Sequence, residues 1–102
     1  MSEIKEITVQ ELKEWQDNGK DFQLIDVREQ SEYDEAHMNG ELIPLGTIPQ
    51  NLDKINGDKP VVIHCRSGKR SANAIAFLQK ELGHEQLYNL QGGIIAWQKQ
   101  NS

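Results

Sequence analysis

The run Pro60-Val61-Val62-Ile63-His64-Cys65 constrains this chain more than any other stretch. Three consecutive β-branched residues without polar alternation fit a strand covered on both faces, in the middle of a parallel sheet. The segment Cys65-Arg66-Ser67-Gly68-Lys69-Arg70 follows directly and reads as a tight loop. From Ser71 to Leu82, Ala72, Ile75, Ala76, Phe77 and Leu78 recur at helical spacing, and Gly83 suits the helix end. Strand, short loop and helix therefore meet at a cysteine.

The rest of the chain alternates in the same way. Ile4 to Thr8 reads as a short edge strand. Thr8 and Glu11 form a Thr-x-x-Glu capping box that opens a helix over Val9 to Asn18, ended by Gly19, with Leu12 and Trp15 toward the core. Phe22 to Val27 reads as a buried parallel strand. A short helix follows, with Ser31 as its cap and Glu32 to His37 inside it. Leu42 to Pro49 is apolar but interrupted by Pro44, Gly46 and Pro49, so a short strand and loop are expected. Leu52 to Ile55 fits one helical turn, Gln86 to Leu90 a last strand, and Gly92-Gly93 the opening of a terminal helix through Trp97. Strands alternating with helices at these intervals predict an α/β fold, a small parallel sheet with helices on both faces.

With 102 residues, one domain spanning 1–102 is expected, large enough for one modest core. A net charge of −5 argues against a general nucleic-acid or anionic-membrane surface, so any anion chemistry must come from a local basic cluster. No apolar run approaches the roughly 20 residues that span a bilayer. The opening Met1-Ser2-Glu3-Ile4-Lys5-Glu6 lacks the order of a secretory signal, and a cytoplasmic location is expected.

The chain has one cysteine, which excludes an internal disulfide. By count alone Cys65 could be a buried small apolar residue. Its setting points elsewhere. A cysteine at the C-terminal end of a parallel strand lies where open α/β sheets place ligands. The following helix aims its unpaired N-terminal amides at the same spot, and successive loop amides form an anion nest. Arg66, Lys69 and Arg70 add three cations, and Gly68 supplies the conformational freedom a tight loop needs. All of these favour thiolate over thiol, so a thiol pKa well below the ordinary value is expected.

Cys65-Arg66-Ser67-Gly68-Lys69-Arg70 resembles the six-residue active-site loop of the rhodanese superfamily sulfurtransferases. Leu24-Ile25-Asp26-Val27-Arg28-Glu29, with Glu32-Tyr33 and Ala36-His37 downstream, is similar to the family's Asp-Val-Arg segment and its Glu-Tyr and Gly-His elements. Gly92-Gly93-Ile94-Ile95-Ala96-Trp97 is similar to its Gly-Gly, Ala-Trp signature. Ala36 replaces the usual glycine, and Met38-Asn39-Gly40-Glu41 replaces a more apolar stretch, a departure that bears on the acceptor. The resemblance implies a thiosulfate-type sulfurtransferase. Cys65 would be the catalytic nucleophile, and Arg66, Ser67, Gly68, Lys69, Arg70 and Ser71 would bind substrate and hold a persulfide. The donor would be a small anion, and the acceptor a thiol, cyanide or a protein. The resemblance implies no metal and no organic cofactor.

Asp26 and Arg28 could orient the catalytic loop or act as structural pins. His64 should point to the face opposite Cys65 and reads as a satisfied sheet histidine. His37 is placed to fix a turn near the site, and His84 reads as a surface residue. Trp15 and Trp97 read as packing residues. The acids Glu29, Glu32, Asp34 and Glu35 read as a solvated helical face. Three rival functions stand beside sulfur transfer. A cysteine phosphatase or arsenate reductase would need an arginine where Ser71 stands, one position after Arg70. A non-catalytic rhodanese-like module would not need Cys65. A sulfur relay to a protein partner would use residues around the mouth, for which Met38 to Pro49 is the candidate stretch.

Overall fold

The computed structural model describes residues 4–100. Met1 to Glu3, read above for signal character, lie outside them. Five parallel strands form one sheet: β1 (Lys5–Ile7), β2 (Gln23–Asp26), β3 (Glu41–Leu42), β4 (Val61–His64) and β5 (Leu87–Leu90). Their spatial order is β1-β5-β4-β2-β3, which puts the β-branched strand in the centre, as its composition requires. The crossovers carry helices α1 (Val9–Asp17), α2 (Gln30–Glu35) and α3 (Lys69–Leu82), and α4 (Gly93–Gln100) closes the described chain. Two 3-10 segments, Leu45–Gln50 and Leu52–Lys54, link β3 to β4.

Strand alternation divides the apolar side chains between two cores. Val61, Ile63 and Cys65 pack with Ala74, Ile75 and Leu78 of α3 and with Ile48 of the 3-10 region. Val62, on the other face, packs with Leu12 of α1, Ile94 of α4 and Met38. Helical cover on both faces matches the sequence expectation. Trp15 and Trp97 lie at the margin of the second core, partly buried, and Trp15 meets Phe22 and Tyr88 edge-on at 5.5 and 5.4 Å.

Several element ends differ from their sequence readings. The α1 capping box forms as read, with Glu11 N–H donating to Thr8 Oγ1 and Thr8 N–H to Glu11 Oε1. The cap of α2 is Glu29 rather than Ser31, because Glu29 and Glu32 form the reciprocal box, and the helix ends at Glu35. At α3, Gly68 is the N-cap at φ +115°, so the helix starts at Lys69, two residues before the expected Ser71. The left-handed turn at Gly68 is what lets the loop close so early. Lys69, Arg70 and Ser71 therefore form the first helical turn, whose amides have no partner within the helix.

Candidate active site

The loop after β4 wraps its backbone around one sulfur. Gly68 N–H donates to Cys65 Sγ at 3.1 Å and Ser71 N–H at 3.4 Å, and the Ser71 hydroxyl lies 3.4 Å away. Cys65 is only 1% exposed, as a small apolar residue would be, yet the amides around it point inward. Burial pushes the thiol pKa up. The Ser71 hydroxyl, the Ser71 and Gly68 amides and the Ser67 amide push it down, and the net result lies below the ordinary thiol value. The groups that hold the sulfur are thus dipoles of the loop and helix start.

Asn89 completes this arrangement and was not singled out in the sequence. It lies on β5 beside Ile63 of β4 and is 4% exposed. Its Oδ1 accepts the Ser71 hydroxyl at 2.5 Å, and its Nδ2 donates to the Gly68 carbonyl at 3.1 Å. The signal available was an asparagine inside the apolar strand Leu87-Tyr88-Asn89-Leu90, a residue type depleted from strands.

The Gly92-Gly93 pair holds the loop from behind. At the start of α4, Ile94 N–H donates to the Cys65 carbonyl at 3.0 Å and Ile95 N–H to the Arg66 carbonyl at 3.2 Å. Gly93 has φ +57°, and a Cβ there would collide with those same two carbonyls. Only glycine permits this approach.

A chain of polar contacts reaches the loop from β2. Asp26 is fully buried and grips Arg28, with Nη2 to Oδ2 at 2.7 Å and Nε to Oδ1 at 3.0 Å. Arg28 in turn donates to the Ala36 carbonyl at the end of α2 at 2.8 Å. These bonds pin α2 to the sheet. From α2, Glu32 takes Arg70 in a bidentate pair, with Nη1 to Oε1 at 2.7 Å and Nη2 to Oε2 at 2.9 Å. The Arg70 bond, against a smaller effect of burial, holds the Glu32 carboxyl down at about 2. The solvated reading of Glu32 is thus corrected, because the tertiary fold supplies it with a cation.

Other readings also change. Arg66 and Lys69 are exposed, and neither forms an ion pair among the described residues. His64 is fully buried, but neither ring nitrogen finds a hydrogen bond, so it is not the satisfied histidine expected; Nε2 stands 3.8 Å from Asp26 Oδ2. Burial first of all holds its pKa below the ordinary value. His84 is buried rather than on the surface, with Nε2 2.6 Å from the Asn56 carbonyl. His37 does fix a turn, accepting Asn39 N–H at 3.1 Å and stacking on Tyr33 at 4.2 Å. In the expected partner stretch, Met38, Ile43 and Ile48 are core residues. The rest of that stretch, apart from Gly40, is exposed or half-buried, and an open cleft of about 270 Å³ also lies beside the loop, between Arg28, Ala36, Arg66, Ile94, Ile95 and Gln98. Among the described residues, no three His, Cys, Asp or Glu side chains cluster to hold a metal ion, and no helix is long and apolar enough to cross a membrane.

A family model described as a rhodanese-like domain matches residues 8–100. The chain belongs to the rhodanese-like family. It is 37% identical over 95 residues to a sulfurtransferase of Allochromatium vinosum, covering 92% of this chain and 88% of that one. It is 43% identical over 97 residues to the probable adenylyltransferase/sulfurtransferase MoeZ of Mycobacterium tuberculosis, covering 92% of this chain but only 24% of MoeZ. Its fold superposes on a rhodanese-like domain protein from Staphylococcus aureus with a TM-score of 0.84 at 36% identity, covering 92% and 91% of the two chains. The five-stranded rhodanese-like architecture is therefore the fold read from the sequence, and sulfur transfer or carriage is the general function that the family supports.

Proposed function

We propose that this rhodanese-like domain is a sulfurtransferase that carries a sulfane sulfur as a persulfide on Cys65. One observation carries the reading: Cys65 Sγ accepts the Gly68 and Ser71 amides at 3.1 and 3.4 Å at the start of α3. Preorganised donors of this kind stabilise an anion without reorganising when the anion forms. The Cys65 thiolate attacks the outer sulfur of a donor such as thiosulfate. A sulfur–sulfur bond forms at Sγ, the donor's own sulfur–sulfur bond breaks, and sulfite departs with the electron pair. An acceptor nucleophile then takes the outer sulfur and returns Cys65 as thiolate. Two displacements through one covalent intermediate give ping-pong kinetics.

Arg66 and Lys69, exposed and without ion pairs among the described residues, draw in the anionic donor. The amides from Arg66 to Ser71 hold the persulfide. Arg70 contributes charge while clasped by Glu32. The open cleft beside Arg66 supports a protein or thiol as acceptor, because it leaves the loop approachable by something larger than cyanide. The same geometry speaks against phosphate-ester chemistry. The position where a phosphatase needs its arginine holds Ser71, which is turned to the sulfur, and Arg70 has both donor arms committed to Glu32.

The test is intact mass after incubation with thiosulfate. The expected result is a gain of one sulfur atom, removed by cyanide and absent from Cys65→Ala. A wild-type protein that never gains sulfur from thiosulfate or from a low-molecular-weight persulfide would overturn the proposal.

A further inference from the structure

We propose that Asn89 is a positioning residue that tunes the ionisation of Cys65, by holding Gly68 and Ser71, two of the loop residues that face the sulfur. The inference deepens the sulfur-transfer reading and rests on it. Among the described hydrogen bonds Asn89 makes none to Sγ. Its amide instead bridges the loop: Nδ2 to the Gly68 carbonyl and Oδ1 to the Ser71 hydroxyl. Of the two amides within 3.5 Å of Sγ, Gly68 supplies the shorter contact, and Ser71 supplies the longer one together with the hydroxyl. One buried side chain on β5 therefore braces both donors, beside the Ala72 N–H that the Gly68 carbonyl also accepts at 3.1 Å. Its own position is set by β5, hydrogen-bonded to β4 with Asn89 opposite Ile63. The loop, by contrast, has a left-handed glycine at its turn.

The two arms of the amide act in opposite senses. Ser71 has one hydroxyl proton and two acceptors near it, Cys65 Sγ and Asn89 Oδ1. With neutral Cys65, the thiol can donate to Ser71 Oγ while Ser71 donates to Asn89. When the thiol proton leaves to solvent, the Ser71 hydroxyl rotates toward the sulfur and Asn89 Oδ1 loses its donor. This arm favours the thiol. The Gly68 arm favours the thiolate, because it keeps the Gly68 amide aimed at the sulfur. The loop closure that this arm holds places two amides on the sulfur, Gly68 at 3.1 Å and Ser71 at 3.4 Å, neither with a competing acceptor among the described contacts, and the two together outweigh the single hydroxyl that Asn89 Oδ1 draws away. Removing Asn89 should then raise the Cys65 pKa.

The experiment is the pH dependence of Cys65 alkylation by iodoacetamide in the full chain. Asn89→Leu, of similar size, removes both arms. The expected result is a midpoint moved upward by about half a pH unit or more, roughly threefold slower alkylation on the acid side. Asn89→Asp keeps an acceptor for Ser71, loses the Gly68 donor and adds a negative charge, and should move the midpoint further upward. Asn89→Ser, small and polar, serves if the leucine variant does not fold; it cannot reach both groups and should move the midpoint in the same direction. A midpoint unchanged or lowered in a folded variant would overturn the proposal, since a purely structural asparagine would alter stability and leave the titration alone. The sulfur-transfer reading fails separately, by absence of sulfur loading in the wild type, and that outcome leaves the alkylation curves readable.

Discussion

Glu32 holds Arg70 with both carboxylate oxygens, at 2.7 and 2.9 Å, and so clasps the first turn of α3 to α2. The pair acts as a brace between two segments whose sequences are 38 residues apart. The Glu32 carboxyl falls from its ordinary 4.5 to about 2. Because the folded value is the lower one, its contribution to stability is present above about pH 4.5 and is lost as pH falls toward 2. Fully transmitted, that drop would amount to roughly 3 kcal/mol. Both side chains are about one-third exposed, 29% and 34%, and screening reduces it to about 1 kcal/mol. Glu32→Gln is expected to lose about that much in urea unfolding at pH 7, with the gap to wild type closing near pH 2. A gap that stays constant with pH would show that the carboxylate charge is not what Arg70 uses.

His64 gives a second pH dependence, in a different window. Burial lowers its pKa, the Asp26 charge opposes this, and the Arg28 charge adds to it. The folded state therefore binds the imidazole proton less readily than the unfolded chain, whose histidine titrates at about 6.5. Stability is full above that pH and declines as pH falls through and below it. His64→Leu removes two ring nitrogens that have no hydrogen bond and should be neutral or stabilising by about 1 kcal/mol at pH 7. Its stability should also change less than that of wild type between pH 7 and 5. A variant that is strongly destabilised and keeps the wild-type slope would contradict this account.

Gly93→Ala should be the most damaging single methyl group in the site region. The residue sits at φ +57°, and the added Cβ meets the Cys65 and Arg66 carbonyls. A loss of about 3 kcal/mol is expected from strain and displaced backbone together. Gly19→Ala is the control, because Gly19 also has positive φ but its Cβ would meet nothing within 4 Å. The control should lose only about 1 kcal/mol. Equal losses in thermal unfolding would refute the close-approach argument.

The double variant Arg66→Gln, Lys69→Gln tests the role of the exposed cations. Loading of Cys65 by thiosulfate should slow about tenfold at low ionic strength. At about 1 M salt, where charges are screened beyond about 3 Å, the two proteins should load at similar rates. Stability should be nearly unchanged, since neither side chain forms an ion pair among the described residues. Identical salt dependence in both proteins would remove these residues from donor capture.

Most of what depends on near neighbours in the chain was readable from the amino acids alone, though the Glu29 cap of α2 and the start of α3 at Lys69 were not. The run Val61-Val62-Ile63 implied a central strand, Thr8 and Glu11 a helix start, and the alternation of elements a parallel sheet; each arises from short-range sterics and from burial periodicity. The position of Cys65 at a strand tip before a helix was legible for the same reason. Partnerships between distant segments were not. Glu32 looked solvated until α2 was brought against Arg70, and His84 looked exposed until the Asn56 carbonyl covered it. Asn89 looked like an interruption in a strand until β5 was laid beside β4 and its amide reached Gly68 and Ser71. A side chain's charge and hydrogen-bonding capacity are intrinsic, but its partner is selected by which strands and helices become adjacent. The residues themselves determined a parallel sheet with a thiol at its carboxyl edge, and only the folded arrangement decided what surrounds that thiol.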